Sequence, residues 1–406
     1  MPSSLPAGSP GLPADSSPLP AFRHDPVKSV LPGRGGGAFH WDREPAVCAH
    51  RRLTHDSAHL GQTVPVPVSS TPAVVAGVGV VVASDDGRLR FFDPGLGKVY
   101  WERRLDRSVY ASLVVDQARR HVIVATTSGL ITCFDLRGTL VWSRKAESPV
   151  FATPTVLPGA DLLVVAAFHS RCLGLALGTG ELVYDRPLPR PWSAAHGGVA
   201  AYRDPYASPV PAADDTAVLC CGEHVVALAA DGTEVWRQEI GHPVKASPAL
   251  LHETGRLAVC PVDGRCVLLD AKTGRPEAEV RLGAKITGSP AVSGDVLAVG
   301  TQLGTVTGLT SSGEMRWTSP QGAPRSYTSL TVLPDGNFVA TAERGNIVCL
   351  AREDGRFLWE SSQVLGLPDH EPALDITPIA AASGSMYAAS YGGDLYQFLF
   401  QPCDEE

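Results

Sequence analysis

Short apolar runs alternate with turns along nearly the whole chain, and the alternation has a period. Each period opens on a small hydroxyl residue that leads into an apolar strand: Thr71, Ser112, Thr153, Ser208, Ser247, Ser289, Ser329 and Thr377. A second apolar strand follows. A turn comes next that usually carries glycine, as at Asp86-Gly87, Ser128-Gly129, Cys221-Gly222, Asp263-Gly264, Leu303-Gly304, Arg344-Gly345 and Gly392-Gly393. Glycine supplies the positive φ that a tight hairpin needs. A third strand then runs to another glycine, and an aromatic stands four residues beyond it: Gly97/Trp101, Gly138/Trp142, Gly180/Tyr184, Gly232/Trp236, Gly313/Trp317 and Gly355/Trp359. Gly274 keeps the phase with Ala278 in the aromatic's place. Successive glycines lie 41, 42, 52, 42, 39 and 42 residues apart.

Periods near 40 with about four strands each are the signature of a propeller. Eight openings predict an all-β, eight-bladed β-propeller with four-stranded antiparallel blades. The eighth repeat ends at Tyr396-Gln397-Phe398-Leu399-Phe400 with no glycine–aromatic unit after it. The chain start has a spare one, Gly37 to Trp41, so the N-terminal strand is expected to complete the last blade and hide its open edge. The tryptophans read as packing on outer strands, each filling the wedge against the next blade, not as cofactor platforms.

Composition adds boundaries and exclusions. Residues 1–36 are rich in Pro, Ser and Gly, lack a basic segment followed by an apolar one, and read as a disordered leader; 37–400 form the single propeller and 401–406 a tail. The net charge is −8 with no basic stripe, which argues against a nucleic-acid surface. Runs such as Pro72 to Ala83 are too short and too glycine-bearing for a membrane span. Nine scattered cysteines with no CxxC pair suit reduced thiols in a cytoplasmic protein and give no structural zinc pattern. The Ala, Gly, Pro and Arg bias suits a high-GC bacterium.

The units Phe92-Asp93…Gly97-Lys98-Val99-Tyr100-Trp101 and Leu269-Asp270-Ala271-Lys272-Thr273-Gly274 resemble the tryptophan-docking repeat of the pyrroloquinoline-quinone (PQQ) dehydrogenases. Similar repeats build the outer-membrane β-barrel assembly lipoprotein and the C-terminal propeller of β-alanine-activating-type acyl-CoA synthetases. The resemblance covers residues 37 to 400 and implies fold more than function. Quinoprotein dehydrogenases carry a calcium site, an aspartate base, a tryptophan floor and two adjacent cysteines. Of these the chain offers the pair Cys220-Cys221, and Cys260 holds the same phase in the next repeat, which favours strand packing. No PQQ, calcium or other cofactor is expected.

The residues two places before each hydroxyl marker face the same way along the strand, toward the channel mouth. They are Ser69, Tyr110, Phe151, Tyr206, Lys245, Thr287, Tyr327 and Asp375, with Arg325 two places further out in its repeat. Aromatic walls with a few charged groups are what a small-molecule pocket uses. Three long lead-in segments add polar groups on that face: 42–66 with His50, His55 and His59, 185–205 with Arg190, Trp192, His196 and Asp204, and 360–374 with Asp369, His370 and Glu371. His55 and His59 match a metal pair only if Thr54 to Leu60 is helical, and no metal site is assigned.

Three functions follow. In the first, Tyr110, Phe151, Arg325, Trp192, His196 and His370 bind a small molecule. A desolvated Lys245 acts as base, Asp375 pairs with it or takes a proton, and Tyr206 or Tyr327 donates one, giving cofactor-free cyclase, lyase or isomerase chemistry of specialised metabolism. In the second, the propeller is a protein-interaction scaffold and Lys245 and Asp375 form a solvated ion pair. The third, a quinone oxidoreductase, is opposed by the missing calcium-site residues.

Overall fold

The computed structural model describes residues 38–57, 62–192, 204–320, 329–341, 346–366, 374 and 376–403. Eight four-stranded antiparallel sheets follow one another along the chain. The blades occupy residues 73–104, 114–145, 155–187, 210–239, 249–281, 291–319, 331–360, and 379–399 with 46–52. Within each of the first seven the strands pair in sequence order from the axis outward. One short helix, Ser361–Leu365, follows the seventh blade.

The core is a ring of interfaces between neighbouring blades. Phe91, Leu89 and Val81 of blade 1 meet Val122, Val124 and Phe134 of blade 2, and an equivalent cluster joins blades 8 and 1. This geometry explains the repeat's two markers. The indole of Trp101 lies on the backbone of Gly138 in the next blade and its Nε1 donates to the Leu136 carbonyl at 2.9 Å. Trp142, Trp236, Trp317 and Trp359 donate in the same way to the carbonyls of Leu177, Ala271, Arg352 and Trp41. A Cβ on Gly180 would stand 2.4 Å from Trp142, and its φ is 71°, so the position excludes side chains on two independent grounds.

The hydroxyl marker has the matching role at the axis. The backbone N–H of Ser112 donates to Thr153 Oγ1, Thr153 to Ser208 Oγ, Ser208 to Ser247 Oγ, Ser247 to Ser289 Oγ, Ser289 to Ser329 Oγ and Ser329 to Thr377 Oγ1, at 2.6 to 3.4 Å. Inner strands converge and have room for only two or three residues, as in Ala73–Val75 and Val210–Pro211. A belt of hydroxyls therefore satisfies backbone donors that a longer sheet would have paired.

The N-terminal strand does complete the last blade, but with different residues from those the glycine–aromatic spacing suggested. Strand Ala46–Arg52 pairs with Asp394–Leu399, from Ala46 opposite Leu399 to Arg52 opposite Asp394. Trp41 lies in the turn before it, its ring 4.4 Å from Phe400 and its carbonyl receiving Trp359 Nε1. Trp41 thus takes the place of Leu136 in blade 2, and the outer-strand aromatic position falls on Ala49, opposite Gln397 just past the bulge. Segment 42–66 is accordingly mostly strand. Its remainder is a hairpin, Thr54–Ser57 against Gln62–Pro65, so His55 sits on extended backbone, not on a helical turn. His59 lies outside the described residues.

Candidate functional site

Loops leading into the inner strands and turns between second and third strands share one face of the ring. Four of the channel-mouth positions meet there. Tyr110 and Phe151 lie 5.2 Å apart between ring centres. Phe151 stacks on Phe168 at 4.6 Å with planes 3° apart, and Phe168 meets Tyr206 edge-on at 5.1 Å. Lys245 Nζ stands 4.9 Å from the Tyr206 ring centre, a cation–π contact that ends the row. The row crosses blades 2 to 5 as a continuous aromatic shelf. Tyr110 is its exposed end, at 46% of full exposure, while Phe168 is buried.

Strand alternation does not point to Phe168, because it belongs to the turn and not to the lead-in positions. The available signal is that this turn has no glycine. His169 and Ser170 take φ of 64° and 54°, a left-handed pair that costs non-glycine residues energy and is held by the surroundings. His169 Nδ1 is 2.9 Å from Ser148 Oγ, and the Ser170 N–H donates to the Asp204 carbonyl.

Lys245 is paired with Asp204. Its Nζ donates to Asp204 Oδ1 at 2.6 Å, and the two side chains are 1% and 3% exposed. The Gly222 N–H supports the same carboxylate. Burial raises the Asp204 carboxyl above its ordinary value, with the Lys245 cation pulling the other way. Burial likewise pushes the Lys245 ammonium down, and Asp204 holds it up. Beside the pair, the fully buried Glu223 accepts the Trp192 N–H at 2.5 Å and lies 3.3 Å from His224 Nε2. The Trp192 side chain itself projects outward, 60% exposed. The base of the face is therefore a desolvated charge cluster, with two exposed aromatics, Tyr110 and Trp192, above it.

The other expected site residues separate into two groups. Ser69 donates to Asp85 and Thr287 accepts from Gln302, so the small ring members bond within their own neighbourhood. Asp375, Tyr327, Arg325, His196 and His370 lie outside the described residues. Cys220 and Cys221 are buried free thiols. Burial raises both, Cys221 to about 12, and Cys221 Sγ donates to Ser170 Oγ. No helix among the described residues is long and apolar enough to cross a membrane.

Comparison with known proteins agrees with the repeat. The PQQ_2 family, described as outer membrane protein assembly factor BamB, matches residues 34–223 and 221–399. The BamB of Nitrosomonas eutropha is 25% identical over 164 residues, 40% of this chain and 38% of that protein. The BamB of Shewanella oneidensis is 24% identical over 186 residues, 41% of this chain and 47% of that protein. The matched stretch thus spans less than half the length of either relative. Among solved structures, BamB from Moraxella catarrhalis superposes with a TM-score of 0.67 at 17% identity, covering 88% of this chain and all of that one. The Saccharomyces cerevisiae protein Sqt1 gives 0.67 at 13% identity over the same shares, so these likenesses describe the fold alone. With both halves of the ring matched by one repeat pattern, the chain belongs to the PQQ_2 family of BamB-type propellers.

Proposed function

We propose that the protein is a non-catalytic interaction scaffold whose docking face is the aromatic shelf of blades 2 to 5. The observation that carries this reading is the sealed state of Lys245: its ammonium is bonded to Asp204 with almost no exposed surface, while Tyr110 and Trp192 stand exposed on the same face. A general base must reach the proton it removes. Rigid exposed aromatics set on a desolvated base are the usual energetic centres of protein interfaces. The BamB-named relatives support the same class. Nine free cysteines support a reducing, cytoplasmic setting.

The test is affinity capture from the native host with wild type and with Tyr110→Ala and Trp192→Ala variants, followed by titration of each purified candidate. A protein partner that binds wild type and loses at least tenfold in affinity with each variant supports the scaffold. The rival reading, a small molecule held at the channel mouth, is favoured by the convergence of Tyr110, Phe151, Tyr206 and Lys245. It prevails if wild type retains a small molecule, no protein binding responds to the variants, and Lys245→Ala abolishes that retention.

A further inference from the structure

The opposite face, formed by the turns between first and second and between third and fourth strands, holds a cleft of different character. It opens between blades 1 and 2 with a volume of ≈ 780 Å³, within the roughly 300 to 1,000 Å³ of ligand pockets. Its floor is apolar, from Phe91, Tyr100, Trp101 and Leu136. Tyr100 is 42% exposed although it is a large aromatic on an outer strand. The rim carries Arg119, Arg120 and Arg137.

The three arginines are not equivalent. Arg119 bonds Asp116 at 3.1 Å and Asp161 at 2.7 Å, so its charge is answered within the fold. Arg120 and Arg137 are exposed and form no salt bridge with an acidic side chain among the described residues, although the Arg137 charge helps hold the carboxyl of Asp135, also at the rim, below its ordinary value. The nearby Asp135 spends its Oδ1 on the backbone N–H groups of Arg137 and Thr139, which hold the turn. Lys98, 5.6 Å from the Tyr100 ring centre, adds a further cation. The cleft is thus a positive, aromatic-floored site on a chain whose net charge is −8. Exposed guanidinium forks outside any salt bridge favour carboxylates, and the floor favours an apolar side chain between them.

We propose that this cleft binds an acidic peptide segment of a partner protein, with one apolar side chain on the Tyr100–Trp101 floor and flanking carboxylates on Arg120 and Arg137. The site is separate from the aromatic shelf and does not depend on it.

The probe is a fluorescein-labelled twelve-residue peptide with Asp and Glu on both sides of a Leu-Phe pair, titrated by anisotropy against the full chain. Two controls replace the acids by Lys or the Leu-Phe pair by Ser-Ser. The variants are Arg137→Glu and Arg120→Asn, the latter because φ at residue 120 is 57° and asparagine tolerates that region. Tyr100→Ser removes the floor while leaving the charges. Saturable binding that weakens at least tenfold in the double arginine variant, severalfold in Tyr100→Ser, and severalfold between 50 and 300 mM salt, as roughly expected for exposed charges, supports the proposal. It is overturned if the acidic peptide does not bind, if the Lys control binds equally, or if the variants bind like wild type while circular dichroism shows them folded. Binding of phosphatidylglycerol vesicles in place of the peptide also overturns it. Tyr110→Ala and Trp192→Ala leave this binding unchanged, so its failure and that of the shelf are separable.

Discussion

Replacing Lys245 by methionine removes one charge from a pair whose side chains are 1% and 3% exposed. The remaining Asp204 stays in the same dry site, close to the buried Glu223, with the Gly222 N–H as its support among the described residues. Breaking a buried pair from one side costs about 3 to 5 kcal/mol, mostly the uncompensated charge. Unfolding entropy is about 2.1 cal/mol/K per residue. For 406 residues, that loss lowers Tm by about 4 to 6 °C. The pH dependence has a definite sign. The folded Asp204 pKa already lies above the unfolded one because of burial, so the native state holds this proton more tightly. That preference stabilises the fold at low pH and is lost as pH rises through the folded pKa. Removing Lys245 takes away the cation that opposed the rise, and the window extends to higher pH. Calorimetry at pH 5 and pH 7.5 should therefore show the larger deficit at pH 7.5. The double variant Asp204→Leu/Lys245→Met should recover most of it, since an apolar pair of similar volume has little desolvation to offset. A Lys245→Met protein that melts within about 1 °C of wild type at both pH values would refute the sealed-pair reading.

The docking glycines and the axial belt make two further predictions. Gly180→Ala should cost well over the roughly 1 to 2 kcal/mol of left-handed backbone strain alone, because its Cβ meets the Trp142 ring; Gly241→Ala, at φ 84° with nothing within 4 Å, isolates the strain, and denaturant titration of both gives the packing difference. Equal losses would show that the indole does not constrain the glycine. Ser208→Ala leaves the Thr153 N–H without its acceptor and should cost about 1 to 3 kcal/mol; hydrogen exchange at Thr153 should accelerate, and unchanged protection would show that the belt is not what holds that donor.

Much of the architecture was legible because each repeat writes its contacts into fixed positions. Gly138 and Trp142 could be recognised as markers without knowing that the glycine receives one indole and the aromatic reaches forward to another blade. The spacing rule failed at the one place where chain order and blade order part company. Trp41 satisfied the local pattern, but what a closing strand needs is register with Asp394–Leu399, and that is set by 344-residue-distant partners such as His50 and Asp394. At the candidate site, strand alternation correctly grouped Tyr110, Phe151, Tyr206 and Lys245 on one mouth. It could not supply Phe168, which arrives from a turn, nor Asp204, which arrives from the preceding blade's lead-in loop.

Local chemistry along the chain thus decided the number of blades, the strands within them and which positions look toward the channel, since glycine conformation, side-chain alternation and a 40-residue period are all short-range properties. The tertiary structure alone decided whether Lys245 is a reactive amine or half of a sealed pair. That outcome depends on how much water two neighbouring blades exclude and which carboxylate they bring within 2.6 Å. Neither quantity has any representation in the order of residues until the ring has closed.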